Sequence, residues 1–230
     1  MSGYVLKIDE AEPQQKESDY SFIGGQPRLP EDRPIPHCQL CGAEQTFFFQ
    51  VAFPAGHLWE GLTMAVFHCT SCAHEGERIP EILPVPLKGA DIPKGFLESY
   101  QRNFKIEIFA TKEGVIRKDY QENIQFKRWI LEAVNGDPKA NKVGGKPNWL
   151  LEDEAPVTYD GKVPMFFLMQ LMEDFQFELV DDAPPQMQIG LRGNPEPSQE
   201  RYYELFLANQ LYFFGTEEKS DPLVYVLTQI

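Results

Sequence analysis

Short apolar runs bounded by glycine and proline recur along this chain and define its predicted elements. Residues 47–53, 62–67 and 211–214 are rich in Phe, Val, Leu and Tyr. Runs of about four to eight such residues between turn-forming residues are typical of buried β-strands. We therefore expect residues 47–53 and 62–67 to form one hairpin. A second hairpin should join residues 211–214 to residues 223–227.

Two segments between these hairpins also carry a periodic pattern. Residues 104–111 alternate between apolar and polar side chains, which predicts a short strand. Within residues 119–134, apolar side chains recur at steps that suit one face of a helix, and Asn135-Gly136 would end that helix. These apolar residues are Tyr120, Ile124, Leu131 and Val134.

A pattern of turn, strand and glutamine occurs twice. The sequence Ile-Gly-Gly-Gln-Pro at residues 23–27 returns as Val-Gly-Gly-Lys-Pro at residues 143–147. Gln50 and Gln170 each follow the second glycine by 25 residues and close an apolar run. The matching order and spacing indicate a duplicated β-unit, in which Gly-Gly supplies positive φ and proline starts an extended segment.

The predicted fold class is α+β and β-rich, with two repeated β-units and a short helical segment between them. Residues 1–20 are a polar N-terminal segment, and residues 21–93 are the first β-unit, which ends in a Pro-rich connector. We expect residues 94–141 to be a strand–helix connector. Residues 142–230 are the second β-unit, with a loop at residues 181–199. The two units could pack as one domain.

All four cysteines fall into two Cys-x-x-Cys pairs within the first unit. The pairs are Cys38 with Cys41 and Cys69 with Cys72. Two residues between thiolates let both sulfurs of a tight turn reach one ion, and two such turns make a tetrahedral site. We predict a structural zinc ribbon or knuckle with these four ligands, bracketing the first hairpin.

Other interpretations of the cysteine pairs stay open. A rubredoxin-like iron site uses the same ligands, and a Cys-x-x-Cys pair can act in thiol redox chemistry. His37, His68 or His74 could replace one cysteine as a ligand. A site filled by four thiolates has no position for a substrate water, so it favours a structural role over catalysis.

Acidic residues outnumber basic ones, and this excess limits the classes of partner that we expect. Asp and Glu total 35 against 21 Lys and Arg, which gives a net charge of -14. Nucleic acids and anionic membranes attract clustered Lys and Arg, so neither is expected as a partner. A basic protein is expected instead, attracted by exposed acids of the second unit. The candidate contact residues are Glu152, Asp153, Glu154, Glu173, Asp174, Asp181 and Asp182.

The sequence carries none of the common motifs of nucleophilic or nucleotide-dependent catalysis. Gly-x-Ser-x-Gly, the P-loop and the Rossmann glycine fingerprint are all missing, and His57 falls in the predicted loop of the first hairpin. We expect a non-enzymatic protein-binding module. The alternatives are an enzyme with carboxylates in a cleft between the units, and a purely structural protein. The sequence lacks a secretory signal and an apolar run of about 20 residues, which predicts a cytoplasmic protein.

The motifs resemble those of two known families. The order of Gly-Gly-x-Pro, a strand ending in Gln and a further aromatic strand resembles the bacterial YwqG-like family of unknown function. With its cysteine pairs, the first unit also resembles the N-terminal zinc-knuckle region of the programmed-cell-death-2 family. The resemblance covers about residues 20–80 and 140–230. It implies a duplicated β-rich fold and a protein-binding role, either as a dedicated chaperone of a basic ribosomal protein or in toxin immunity.

Overall fold

Antiparallel β-structure dominates the computed structural model of this protein, which describes residues 3–9, 11–74 and 78–230. Helical structure in those ranges is limited to α1 (Phe96–Ser99) and two 3-10 turns, Thr111–Glu113 and Phe206–Ala208. The predicted β-rich class is confirmed. The strands are β1 (Gly3–Asp9), β2 (Phe22–Ile23), β3 (Arg28–Leu29), β4 (Thr46–Ala52), β5 (Leu62–His68), β6 (Asp91–Ile92), β7 (Phe104–Ala110), β8 (Val115–Ile116), β9 (Lys127–Val134), β10 (Lys142–Val143), β11 (Thr158–Tyr159), β12 (Val163–Leu171), β13 (Gln176–Glu178), β14 (Met187–Ile189), β15 (Pro195–Pro197), β16 (Tyr202–Glu204), β17 (Gln210–Thr216) and β18 (Val224–Gln229).

Strands from both halves of the chain form a twelve-stranded sheet. Ten of its strands follow the order β18-β17-β12-β10-β1-β9-β2-β4-β5-β7. β11 joins this path by pairing with β12, and β6 pairs in parallel with β11. The shorter ladders are β13 with β16, β14 with β15 and β3 with β8. None of the helices in the described ranges has the length and apolar character needed to cross a lipid bilayer.

The predicted helix at residues 119–134 is wrong, because Lys127–Val134 form strand β9. β9 pairs along its length with β1, from Gly3 opposite Val134 to Asp9 opposite Arg128. The apolar residues that suggested one helical face lie in different environments. Tyr120 packs in a small cluster with Phe22 and Phe47, whereas Leu131 packs against the larger core. The long-range pairing with β1 therefore overrides the local helical spacing.

The two predicted hairpins and the predicted short strand at residues 104–111 are confirmed. β4 pairs with β5, and β17 pairs with β18. β7 occupies the segment predicted as a short strand and pairs with β5. The predicted loop at residues 181–199 is only partly correct, because β14 and β15 form a short hairpin within it. Prolines at both ends of β15 cannot donate ladder hydrogen bonds, so the sequence pattern of this strand is that of a loop.

Gln50 and Gln170 each hold the loop that precedes their strand. Gln50 Oε1 accepts a hydrogen bond from Arg28 N at 2.9 Å, and its Nε2 donates to Tyr20 O at 3.0 Å. Gln170 Oε1 accepts from Asn148 N at 2.8 Å, and its Nε2 donates to Ala140 O at 2.9 Å. Each residue number in the second set is 120 higher than its counterpart in the first.

The two Gly-Gly turns bind their strands in the same manner. Gly24 N donates to Phe48 O at 2.9 Å, and Gly144 N donates to Leu168 O at 2.7 Å. Each acceptor lies at an irregularity in its ladder, between residues 47 and 49 in β4 and between residues 167 and 169 in β12. Both glycines have positive φ, 56° and 68°. A Cβ at residue 24 would stand 2.4 Å from the backbone of Ile124, so only glycine fits there.

A large apolar core joins the two halves of the sheet. The ring of Phe49 in β4 lies 5.3 Å from Trp129 in β9 and 6.0 Å from Phe213 in β17, measured between centroids. Trp59, in the loop of the first hairpin, is fully buried and donates its Nε1–H to Thr216 O at 2.9 Å. A Cβ at Gly215 would stand 2.6 Å from the Trp59 ring, so this contact requires glycine.

Candidate metal centre

The first cysteine pair lies in a tight turn, the first knuckle (residues 38–41). Gly42 N donates to Cys38 O at 2.9 Å, and Cys38 N donates to Ala43 O at 2.8 Å. Gly42 closes the turn with a φ of 77°, a conformation that glycine adopts readily. The glycine that follows Cys41 therefore has a clear structural reason.

The second cysteine pair, the second knuckle (residues 69–72), directly follows β5. The segment before β7 ties the two knuckles together, since Arg102 O accepts from Gln39 N at 2.8 Å and Asn103 O accepts from Cys69 N at 2.7 Å. A side-chain hydrogen bond of 2.7 Å between the hydroxyls of Thr46 and Thr70 fixes the second knuckle to the start of β4. Backbone contacts thus position both turns at one end of the first hairpin.

The four cysteine sulfurs converge on one point. Their Sγ atoms all lie within 4.8 Å of one another, and all four cysteines are free of disulfides. The Sγ–Sγ distances are 3.9 Å for Cys38–Cys72, 3.6 Å for Cys41–Cys69 and 3.5 Å for Cys69–Cys72. A tetrahedral ion with metal–sulfur bonds of about 2.3 Å requires sulfur–sulfur distances of about 3.8 Å. The arrangement fits such an ion.

The cysteine side chains bind a metal as thiolates, and a bound cation favours that deprotonated form. Burial raises the pKa of Cys69 to about 12 and raises the pKa of Cys72 still further. Burial also acts to raise the pKa of Cys41, but hydrogen bonds from the Ala43 backbone and the neighbouring thiols bring it below the ordinary value. A bound cation stabilises thiolates and displaces their protons, so metal binding here is coupled to deprotonation.

The histidines stay outside the sulfur cluster in the part of the chain that the structure describes. His37 and His74 are exposed, and the Nδ1 atom of His37 lies 3.0 Å from Ile35 O. His68 is buried, and burial lowers its pKa to about 4, which keeps the imidazole neutral. Its ring packs edge-on against Phe206, with centroids 5.2 Å apart. His68 therefore belongs to the packing beneath the second knuckle.

A cavity of about 120 Å³, named the knuckle cavity, adjoins the second knuckle. The first half of the chain contributes His68, Cys72 and Arg78 to its wall, and the second half contributes β14 and β16. Two carboxylates, Glu200 and Glu204, also line it. No sequence motif marks this cavity, because its two walls come from residues 68–103 and residues 186–207, which lie more than 80 residues apart in the chain.

A left-handed turn forms part of the cavity wall. Phe206, Leu207 and Ala208 have φ values of 49°, 64° and 54°, although none of them is glycine. Such a conformation costs about 1–2 kcal/mol for each residue with a Cβ. The turn is held by Asp174, whose N donates to Ala208 O at 2.8 Å. Backbone strain of this kind is often found at functional sites.

The seven predicted contact acids lie in three loops. All of them are exposed except Glu154, which is half-buried and accepts a hydrogen bond from Gln229 Nε2 at 2.8 Å. The first loop lies between β10 and β11, the second between β12 and β13, and the third between β13 and β14. Their role in partner contact stays a prediction. The residues are Glu152, Asp153, Glu154, Glu173, Asp174, Asp181 and Asp182.

Comparison with models of protein families gives no match for this chain, and a search of curated proteins gives none either. The resemblance to the YwqG-like and programmed-cell-death-2 families therefore depends only on the repeated Gly-Gly-x-Pro and glutamine motif and on the two cysteine pairs.

Proposed function

We propose that this protein is a non-enzymatic module that binds a basic protein partner and carries a structural metal at one end. The observation that carries the proposal is the net charge of -14. An acidic surface attracts a cationic partner over long distances and steers its association. A dedicated chaperone and an immunity protein both perform this kind of capture.

Zinc is the ion that we propose for the four-cysteine site. Four thiolates at tetrahedral spacing are the ligands of structural zinc, and such a site leaves no position for substrate. Cys38, Cys41, Cys69 and Cys72 would hold the ion. The bound ion would cross-link the two knuckles and thereby stabilise the end of the first hairpin.

We also propose that the chain consists of two related β-units. The hydrogen bonds of Gln50 and Gln170, related by 120 residue numbers, support a duplication. By the same offset, Thr158 and Gly161 correspond to Cys38 and Cys41. Asp91 Oδ1 accepts hydrogen bonds from Thr158 Oγ1 at 2.6 Å and from Gly161 N at 2.7 Å. A carboxylate would then hold the corresponding turn of the second unit in place of a metal.

The exposed acids of the second unit support a basic protein as the partner, because few of them are neutralised by ion pairs. Among the described residues, Asp153 lies 3.9 Å from Lys88 and Asp181 lies 4.0 Å from Arg201. Both contacts are exposed and long, so they neutralise little charge. The other five predicted contact acids form no ion pair within 4.0 Å in that part of the chain. Their charges are thus available to a cationic partner.

The test is capture of a basic protein followed by titration of the purified pair at rising salt. We expect a dominant basic partner whose affinity falls steeply with salt. Glu173→Gln combined with Asp174→Asn should weaken binding, whereas the matched loss of two charges at Glu31 and Asp32 should have little effect. Capture of neutral or acidic proteins only, or affinity that does not change with salt, would contradict the proposal.

One observation favours the alternative of an enzyme. Burial raises the pKa of Glu204, and the nearby charges of Asp174 and Glu200 raise it further. A cavity carboxyl with a raised pKa is a candidate general acid. Turnover of chromogenic ester, phosphate or glycoside substrates that is lost in Glu204→Gln would favour this alternative. If turnover stays at the buffer rate for every substrate, the non-enzymatic proposal stands.

A further inference from the structure

The knuckle cavity is of a size that accepts one side chain. Its volume is about 120 Å³, whereas a cavity of about 150 Å³ can hold a benzene molecule. A nucleotide or an oligosaccharide is too large for it. A single long side chain of a partner protein is a fitting occupant.

The charge of the cavity wall is negative. Glu200 and Glu204 contribute two carboxylates, against one guanidinium from the exposed Arg78. Cys69 and Cys72 also line the cavity. An anionic ligand would meet net repulsion here, and a cationic one would meet net attraction.

The remaining wall is suited to an aliphatic stem. Met187 and Ile189, both half-buried, line the cavity together with the buried Phe206. Lysine and arginine carry a charged head on an apolar stem, and they place that stem along apolar surfaces. The cavity therefore offers both parts of such a side chain a matching environment.

The cavity wall is also held in place by specific contacts. Gln186 makes two hydrogen bonds of 2.9 Å to the backbone of Glu204, one through Nε2 and one through Oε1. Met187 N donates to Thr70 O at 2.9 Å, which fastens β14 to the second knuckle. Together with the strained turn at Leu207, these contacts preorganise the cavity for a ligand.

We propose that the knuckle cavity receives one lysine or arginine side chain of the basic partner, with Glu200 and Glu204 contacting its cationic head. This proposal rests on the proposed function and locates part of the interface. The second knuckle forms one wall of the cavity, so metal binding would help to shape the interface.

The test uses the amide of N-acetylarginine as a probe and the amide of N-acetylcitrulline as its neutral analogue of nearly equal shape. Binding to the full chain is followed by NMR, through the side-chain amides of Gln186 and Gln188 and the backbone amide of Glu204. We expect the arginine probe to shift these signals and to bind at least about tenfold more tightly than citrulline. Glu204→Gln should remove most of that preference, and Glu200→Gln provides a second variant at an exposed site. Glu31→Gln, at an exposed acid outside the cavity wall, is the matched control and should leave the preference intact.

Several results would overturn the proposal. They are equal binding of arginine and citrulline, an unchanged preference in both cavity variants, and tight binding of inorganic phosphate that depends on Arg78. The results distinguish failure of the cavity proposal from failure of the proposed function. If a purified basic partner binds Glu204→Gln and Glu200→Gln as tightly as the original chain, the cavity proposal is wrong and the proposed function stands. If no basic protein binds while the arginine probe does, the proposed function is wrong.

Discussion

Acid should destabilise this protein in part through one buried histidine, His57, in the loop of the first hairpin. Only 4% of its surface is exposed, and its ring stacks on Phe53 with centroids 4.6 Å apart. Its Nδ1 accepts a hydrogen bond from Trp59 N at 3.0 Å, so the neutral ring carries its proton on Nε2. Burial, and then the positive charge of Lys219, lower the pKa of His57 to about 4.

The lowered pKa of His57 sets the expected loss of stability. In the unfolded chain the imidazole has its ordinary pKa of 6.5. Above that pH both states are neutral and His57 contributes no pH dependence. As the pH falls from 6.5 to 4, the unfolded chain binds a proton that the folded chain does not, so stability is lost. A difference of about 2.5 pKa units at about 1.36 kcal/mol each gives a loss of about 3 kcal/mol.

The perturbation is His57→Asn, because the asparagine oxygen can accept from Trp59 N but does not titrate. Urea denaturation of both proteins between about pH 7 and about pH 4 gives the free energy of unfolding at each pH. We expect the variant to lose about 3 kcal/mol less than the original chain over this range. His74→Asn, at an exposed site, should keep the original pH dependence. Equal losses in His57→Asn and the original chain would show that His57 is not the source of the acid sensitivity.

Three further predictions concern stability at neutral pH, measured by urea denaturation. Lys142→Met should raise the free energy of unfolding by about 1 kcal/mol or more, because the buried Nζ has no hydrogen-bond partner among the described residues and burial lowers the pKa of Lys142. A destabilised variant would show that the amine is paired. Lys139→Met, at an exposed site, is the control. Leu207→Gly should add about 1 kcal/mol by relieving positive φ, and a loss of stability would contradict the strain assigned to this turn. Gln50→Leu and Gln170→Leu should each cost about 2–3 kcal/mol, because each removes two hydrogen bonds to backbone groups of the preceding loop. Clearly unequal costs would contradict the equivalence of the two glutamines.

The parts of the structure that depend on local sequence were predictable. The strands of both hairpins are dense apolar runs, and their partners come within a short loop, so composition and turn residues suffice. The convergence of the four sulfurs was predictable from the Cys-x-x-Cys spacing, because two residues between cysteines let both sulfurs reach one tetrahedral ion. These features need no knowledge of distant contacts.

The parts that depend on distant contacts were not predictable from one sequence. β9 has apolar spacing that also suits a helix, and only its pairing with β1 makes it a strand. β1 itself, Gly3–Asp9, lies in the segment predicted only as a polar N-terminus. The knuckle cavity requires residues near Cys72 and residues near Glu204 to meet across the fold. The left-handed turn at Leu207 has no glycine to indicate it.

The metal content of the purified protein is the sharpest check on the four-cysteine site, on which the proposed structure of the first unit depends. Elemental analysis of the folded chain, prepared without added chelator, should find about one zinc ion per chain. Cys38→Ser should lose most of the zinc and unfold at lower urea concentration, whereas Ser71→Ala, within the second knuckle, should keep both zinc and stability. A fully folded chain that contains no metal, and whose stability is unchanged by Cys38→Ser, would contradict the proposed metal centre.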